Sequence, residues 1–399
     1  VKVAFVTPRY GPQVMGGAET AARQLAEHLR AETEWEAEAY STCALDPHTW
    51  ADDLQPGDSE INGVPVHRFA GAHGRLPEFY GLDGRLRLAP QRATREEARR
   101  WVDYNGPVSP DLVDAVVNAD ADVIAFYPYL YHPTVAAIGK VKAPAVLHPA
   151  AHDEPCLYLP VYRGTFGDAD AFCFHTSAER ELVERTYPVA EKPQIVLGLG
   201  VGESAATGRP GGDILGLGDR PYLVSVGRVD EHKGSKMLAE YFATYKERHP
   251  GPLALALVGP ISVVLDPHPD IVITGVVDEA DKWDIVRDAV VAVSPSALES
   301  FSLVVLEAWV ERVPVMVNGT CGPTREHCER SGGGLWFTSY REFEAALDHL
   351  LGNDALRTRL GAAGRAYVDR FYQWPVLIER YATFLSSVVE RGRGTPGLL

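Results

Sequence analysis

Short apolar runs recur along the first half of the chain: "VKVAFV" (1–6), "ADVIAFY" (121–127), "PAVLH" (144–148), "DAFCFHT" (170–176) and "QIVLGL" (194–199). Each is continuous rather than alternating, the pattern of a strand buried on both faces of a parallel sheet. Helical or loop patterns lie between them. In "AETAARQLAEHLR", a helix predicted to begin near Ala18, Leu25 and Leu29 share a face. A second series follows at "PYLVSVG" (221–227), "LALALVG" (253–259), "DIVITG" (270–275), "AVVAVS" (289–294) and "VPVMVN" (313–318), with helical spacing in "KWDIVRDAV". Strands alternating with helices predict a parallel sheet covered on both faces, twice over.

The polar, glycine-rich stretch "GVGESAATGRPGGDILGLGD" (200–219) separates the two series and reads as an interdomain linker. A chain of 399 residues suits two domains of ordinary size. The expected organisation is α/β: two Rossmann-like, doubly wound domains, 1–205 and 206–372, facing a central cleft, and a terminal segment 373–399. Open parallel sheets bind ligands beyond the carboxyl ends of their strands. Two such domains with unrelated tasks fit the pattern as well. In "FYQWPVLIERYATFLSSVVE", Pro375 ends one helix and starts another, with Leu377, Tyr381, Phe384 or Leu385, and Val388 on one face.

Composition narrows the function classes. Hydrophobic residues make up 46%, enough for two cores. No apolar stretch approaches the length of a membrane span, so no integral membrane segment is expected, and the start carries no signal-peptide pattern. Five scattered cysteines fit a reducing cytoplasm. The net charge of −16 argues against nucleic acid as a partner and against broad docking on an anionic membrane. A small anionic ligand stays possible, because local cations act within a Debye length. Cys321, His327 and Cys328 lie close in sequence but lack a fourth convergent ligand, so no metal site is expected.

Three stretches carry candidate chemistry. In "MGGAET", Gly16 and Gly17 precede a helix; paired glycines admit a ligand to the backbone, or simply make a tight turn. The pattern is not G-x-G-x-x-G, so a nicotinamide dinucleotide is not indicated. In "VGRVDEHKG" (226–234), Arg228 and Lys233 follow a buried strand and suit a diphosphate, Arg as a planar fork and Lys as a point charge. In "SALESFSLVVLEAW" (296–309), Glu299 lies in a loop before a helix and Glu307 more than one turn inside it, with Ser302 a candidate N-cap. The free N–H groups at the start of that helix, over Ser300, Phe301, Ser302 and Leu303, suit phosphate oxygens. The carboxylates suit sugar hydroxyls, or else are ordinary surface acids.

"GGAE", "GRVDEHKG", "ITGVVDE" and "ESFSLVVLEA" together resemble, in order and spacing, the retaining glycosyltransferases of the GT-B fold, specifically glycosyltransferase family 4 with its E-x7-E element. The resemblance covers most of the chain. It implies a nucleoside-diphosphate sugar, UDP- or GDP-linked, as donor and a hydroxyl acceptor. It further implies that Glu299 meets donor-sugar hydroxyls, Glu307 the ribose, and Arg228 and Lys233 the diphosphate. Gly16 and Gly17 would approach donor phosphate and acceptor, and Val276 and Val277 the nucleobase through their backbone. The family has a functional histidine after the strand "PAVLH"; His152 is preferred to His148, which stands closer to the strand. The terminal helix is expected to cross back to the first domain.

The chain departs from the family where glycine is usual, with Ser302 and Arg312 in those places. The expected activity is a metal-independent hexosyltransferase-type reaction with no separate cofactor. A GT-B sugar phosphorylase or epimerase, and a catalytically silent nucleotide-sugar-binding scaffold, are the alternatives. The arginine-rich stretch 73–101 reads either as acceptor pocket or as solvated helix with Arg–Glu pairs. The aromatic "FYPYLYHP" (126–133) reads either as stacking surface or as core.

Overall fold

The computed structural model describes residues 1–14 and 16–393. The chain divides into two compact units, Val1–Gly198 with the chain from Pro375 onward, and Leu199–Trp374.

The first unit is built on eight strands: β1 (Lys2–Val6), β2 (Glu36–Thr42), β3 (Gly57–Ile61), β4 (Val64–Phe69), β5 (Val123–Phe126), β6 (Ala145–Leu147), β7 (Ala171–Phe174) and β8 (Gln194–Val196). Their order is β3-β4-β2-β1-β5-β6-β7-β8. Every pair is parallel except β3–β4, an antiparallel hairpin at one edge. β1 and β5 to β7 are buried almost throughout, as their continuous apolar runs require. β2 was not legible as a run, because glutamates stand at alternate positions. One of them, Glu38, is buried within 2.7 Å of Lys2 Nζ and accepts from Tyr40 Oη at 3.0 Å.

The second unit carries β9 (Tyr222–Val226), β10 (Ala254–Val258), β11 (Ile271–Gly275), β12 (Val291–Ser294), β13 (Val315–Asn318) and β14 (Gly334–Phe337). Their order is β11-β10-β9-β12-β13-β14, all parallel. The chain winds outward from β9 to β11, then returns to the other side of β9. The order therefore reverses between β9 and β12, and in the first unit between β1 and β5. Ligands of doubly wound sheets bind beyond the strand ends at such a reversal.

The stretch 200–219 is not a free linker. Its backbone is fixed to the second unit: Asp284 accepts from Thr207 N–H (3.2 Å), Thr207 Oγ1 (2.7 Å) and Gly208 N–H (3.0 Å), and Asp288 accepts from Gly211 N–H at 2.8 Å. A buried carboxylate, Asp284, and an exposed one, Asp288, recruit those donors, which a glycine-rich composition does not disclose. Val201 N–H also donates to Tyr372 O at 3.0 Å in a parallel bridge between Val201 and Gln373. That bridge clasps the start and end of the second unit side by side.

The helix Trp374–Arg393 has Pro375 in its first turn, where a missing N–H costs nothing. It buries Leu377, Ile378, Tyr381, Leu385, Val388 and Val389 in the first unit. Tyr381 Oη lies 3.0 Å from His148 Nε2, and Arg380 Nη2 donates to Val196 O at 2.7 Å. Residues 73–101 form parts of two helices, Glu78–Leu88 and Arg95–Asn105, the second opened by a capping box of Thr94 and Glu97. Arg85–Glu97 (2.6 Å), Arg87–Asp83 (2.7 Å) and Arg100–Glu96 (3.0 Å) pair their charges. Tyr127 and Tyr129 are core residues, against His148 and Tyr162 respectively. Among the described residues no helix is long and apolar enough to cross a membrane.

Candidate active site

In the second unit the loop after β9 is tied by Asp230, whose buried carboxylate accepts from Lys233 N–H at 2.7 Å. Gly234 closes it with φ +74; a Cβ there would stand 2.6 Å from the Pro295 carbonyl oxygen. Only glycine both adopts that backbone at little cost and lets the loop after β9 press on the loop after β12. The consequence is a meeting of two motifs: Lys233 Nζ lies 2.6 Å from Glu299 Oε1, at the strand-order reversal. The pair is partly open to solvent, with 34% of the lysine and 14% of the glutamate side chain exposed. Arg228, more than half exposed, stands 3.4 Å from Asp230.

Glu307 sits in the helix Leu303–Val310 and meets a cation the sequence reading did not assign. Lys282 Nζ is 3.0 Å from Glu307 and 2.6 Å from Glu279, and 5.2 Å from the Trp283 ring centroid. Burial works against the lysine's charge, but the two carboxylates outweigh it and raise its pKa. Lys282 stands in "DEADKWD", a lysine among acids; only tertiary structure brings it to Glu307.

Ser302 occupies the N-cap position but does not cap. Its backbone is left-handed (φ +77, ψ +79), its side chain makes no capping hydrogen bond, and its Oγ is buried without a partner. The residue type suggested a cap, but the reversed backbone directs the hydroxyl away from the helix N–H groups. Arg312 also has positive φ, +58. Both places where the resembling family has glycine are thus places where glycine is the conformationally easy residue. Phe301 anchors the loop, its ring centroid 4.7 Å from that of His327 and 5.3 Å from that of Tyr372. Ser300 and Leu303 are half-buried, Val276 is exposed and Val277 is half-buried. The carbonyl before Val276, on Gly275, is engaged by Gly259 N–H at 2.9 Å.

Cys321, His327 and Cys328 are all buried. Burial lowers the His327 pKa to about 4, and its Nδ1 lies 3.3 Å from Tyr367 Oη. Among the described residues no three His, Cys, Asp or Glu side chains converge as a metal site.

In the first unit Gly16 and Gly17 follow β1. A Cβ on Gly16 would fall 2.3 Å from Glu19 Oε2 and 2.8 Å from Arg9 Nη2, whereas one on Gly17 would meet open space. Gly16 therefore makes room for a buried ion pair, and Gly17 alone leaves backbone uncovered. Arg9 donates to Glu19 Oε1 from Nε (2.9 Å) and Nη2 (2.5 Å), and to Leu45 O from Nη1 (2.8 Å). The glutamate of "GGAE" thus holds an arginine that the sequence reading passed over in "TPRYG".

His148 is fully buried, with its ring centroid 4.0 Å from that of Tyr127, and burial holds its pKa well below the usual range. His152, four residues on, is one-third exposed, with Nδ1 3.4 Å from Glu154 Oε1. The loop behind it is held by Glu179, another residue the sequence reading missed.

The two doubly wound sheets match the GT-B fold. Residues 213–367 match the family model of glycosyl transferases group 1. Sucrose-phosphate synthase (tll1590) from Thermosynechococcus elongatus is similar over 98% of this chain and 99% of its own, with TM-score 0.69 and 18% identity. An E. coli trehalose-6-phosphate structure bound with UDP-2-fluoro glucose is similar over 96% and 99%, with TM-score 0.72 and 14% identity. A curated relative, glycosyltransferase 1 domain-containing protein 1 of Xenopus tropicalis, is 23% identical over 164 residues; the match covers 39% of this chain and 47% of that protein.

Proposed function

We propose that the protein is a retaining glycosyltransferase that moves a sugar from a nucleoside-diphosphate sugar, UDP- or GDP-linked, to a hydroxyl acceptor. The observation that carries this is the Lys233–Glu299 pair at the reversal of the second sheet. A carboxylate for sugar hydroxyls and a cation for phosphate stand side by side where such folds hold ligands. The match over residues 213–367 and the UDP-2-fluoro glucose bound in the E. coli neighbour support the same donor class.

Cleavage of the donor puts negative charge on the departing diphosphate. Arg228, Lys233 and the N–H groups at the start of helix Leu303–Val310 stabilise it. Lys233 then shares its charge between Glu299 and phosphate, leaving the carboxylate to accept from sugar hydroxyls. Glu307, held by Lys282, accepts from the ribose hydroxyls. His152 is assigned to the donor sugar near the reacting carbon, and attack comes from the front face. With cations in place for the leaving group, the reaction needs no divalent metal, and turnover is expected to persist in EDTA. Complete loss restored by Mg²⁺ or Mn²⁺ overturns that part. The five free, buried cysteines fit a reducing compartment, and we place the enzyme in the cytoplasm on that ground.

The two glutamates provide the test. Charge-assisted hydrogen bonds contribute about 1.5–3 kcal/mol each. Glu307→Gln is expected to raise the Kd of free nucleoside diphosphate by about tenfold. Glu299→Gln is expected to leave that Kd nearly unchanged and to lower kcat with a nucleotide sugar. Isothermal titration with both ligands reads the split; equal effects of the two substitutions on nucleoside diphosphate defeat the assignment.

A further inference from the structure

The sheet edge of the first unit holds a buried carboxylate to which the mechanism above gives no part. Glu179 lies in the first turn of the helix Ser177–Thr186, its side chain wholly out of solvent. Its Oε1 accepts from Ala151 N–H at 2.8 Å, in the loop after β6, and its Oε2 accepts from His175 N–H at 2.7 Å, just after β7. Among the described residues no ion pair with lysine or arginine is seen for it; His175 Nδ1 is 3.9 Å away. A charged group buried this deeply is costly, and a glutamine or an apolar side chain would be the easier choice for packing alone.

The loop it holds is itself unusual. Ala150 has φ +51, a left-handed backbone that a non-glycine residue keeps only when its surroundings impose it. Ala151 follows with its N–H on Glu179, then His152, whose carbonyl accepts from Glu154 N–H at 2.8 Å. The imidazole is thus carried by a reversed turn with one bond on each side, and one of those bonds is to a carboxylate.

We propose that Glu179 is the positioning residue for His152: its carboxylate, bridging the loops after β6 and β7, holds the reversed turn that presents the imidazole. This rests on the assignment of His152 to the donor sugar.

The ionisable groups facing Glu179 are His152, His175, Cys173 and Tyr127. Burial pushes the Glu179 pKa up to about 7, against the N–H donors and the charge of His152, which pull it down. Burial pushes His175 the other way, to about 3, so it stays neutral. Cys173 and Tyr127 are raised by burial and stay protonated. Near neutrality the charge that Glu179 exchanges influence with is that of His152. Protonation of Glu179 gives up an acceptor for one of the backbone N–H groups it holds, and the turn loosens.

The test is an NMR titration of the full chain labelled with [13Cε1]histidine, the His152 signal assigned by its loss in His152→Gln. In the wild type the His152 signal is expected to show a second inflection near pH 7; in Glu179→Gln that inflection vanishes and the main midpoint falls. Thr176→Val removes the hydroxyl that caps the same helix but leaves the carboxylate, and is expected to lower Tm while keeping the second inflection. With a nucleotide sugar, Glu179→Gln is expected to lower kcat by about tenfold at little change in KM, with the acid limb of the pH profile flattened. A wild-type signal with one inflection overturns the proposal, and this reading stands alone if Glu179→Gln does not fold. An inflection that persists unchanged in a folded Glu179→Gln overturns it as well. If the wild type shows the coupled titration but transfers no sugar, the coupling is upheld and the functional assignment falls instead.

Discussion

The two units carry carboxylates at equivalent sheet edges and neutralise them by opposite means. In the second unit Glu299 and Glu307 each face a lysine, and both pairs keep some contact with solvent. In the first unit Glu179 faces backbone N–H groups and is sealed from solvent, while His148 and His175 beside it are buried and kept uncharged. A partly exposed ion pair can exchange one partner for a ligand at modest cost, since water covers the transition. A buried carboxylate cannot exchange partners; it can only gain or lose a proton. Under the proposed function, the difference separates a surface that receives an anion from a scaffold that holds a turn.

The largest expected effect tests the receiving side. Lys233→Met removes the cation for diphosphate and leaves Glu299 unpaired, so turnover of a nucleotide sugar should fall by about 100-fold or more. Lys282→Met touches one ligand-facing carboxylate only and should weaken nucleoside diphosphate binding by a smaller factor, about tenfold or less. Steady-state kinetics and calorimetry on both variants compare them directly. An equal loss in the two would erase the distinction between a cation that contacts ligand and one that steadies a carboxylate.

An intermediate effect tests the sealed side, through pH. His175 and His327 have folded pKa values of about 3 and about 4 against an ordinary 6.5. Groups depressed in this way contribute stability that is complete above pH 6.5 and lost as pH falls toward those values. By pH 5 each should cost about 2 kcal/mol relative to neutral pH. Glu179 runs in the other sense: its folded pKa of about 7 lies above the ordinary 4.5, so its contribution is complete below pH 4.5 and lost as pH rises to 7. Thermal melts from pH 5 to 8 should show His327→Phe flattening the acid side and Glu179→Gln removing the loss of stability between pH 5 and 7, so that stability rises more steeply toward neutrality. Unchanged slopes would mean that the buried groups do not stay in the protonation states described.

The smallest expected effect is at Ser302. Glycine there relieves the left-handed backbone and removes a buried, unpartnered hydroxyl, at the cost of a more flexible unfolded chain. The net gain should be about 1 kcal/mol, or a rise in Tm of about 2–4 °C. A lower Tm for Ser302→Gly would show that the serine hydroxyl contributes to the fold.

Strands with unbroken apolar runs were legible whether central or at an edge: β1 and β5 to β13 all lie within runs read from the sequence, the edge strands β8 and β11 included although they are only partly buried. β2, β4 and the edge strands β3 and β14 were not. β2 needs Lys2 to neutralise Glu38, β3 is largely exposed, and β14 is four residues with a half-exposed Trp336. At the candidate site, Glu299 and Glu307 were visible as a spacing, but their lysines were not visible as partners. Lys233 and Glu299 are 66 positions apart, and Lys282 and Glu307 are 25 apart. Glu179 was hidden for another reason: its function is written in backbone donors, which every residue supplies and no sequence distinguishes. The same holds for Ser302, whose side chain spoke for a cap while its φ forbade one.

The clasp between Val201 and Gln373 has a consequence for how the chain is made. The first unit is interrupted: Tyr381 must reach His148 across 233 positions, and the whole second unit intervenes. Closing a flexible loop the length of Leu199–Trp374 costs about 4–5 kcal/mol by the logarithmic law. Once the second unit has folded, its two ends already lie side by side at Val201 and Tyr372, and most of that loop no longer counts. During synthesis the continuous unit can mature as soon as it emerges, while the first waits with its groove for Tyr381 unfilled. The inserted unit then brings the start of the last helix back to where the second unit began, shortening the search of Tyr381 for a partner made more than two hundred residues earlier.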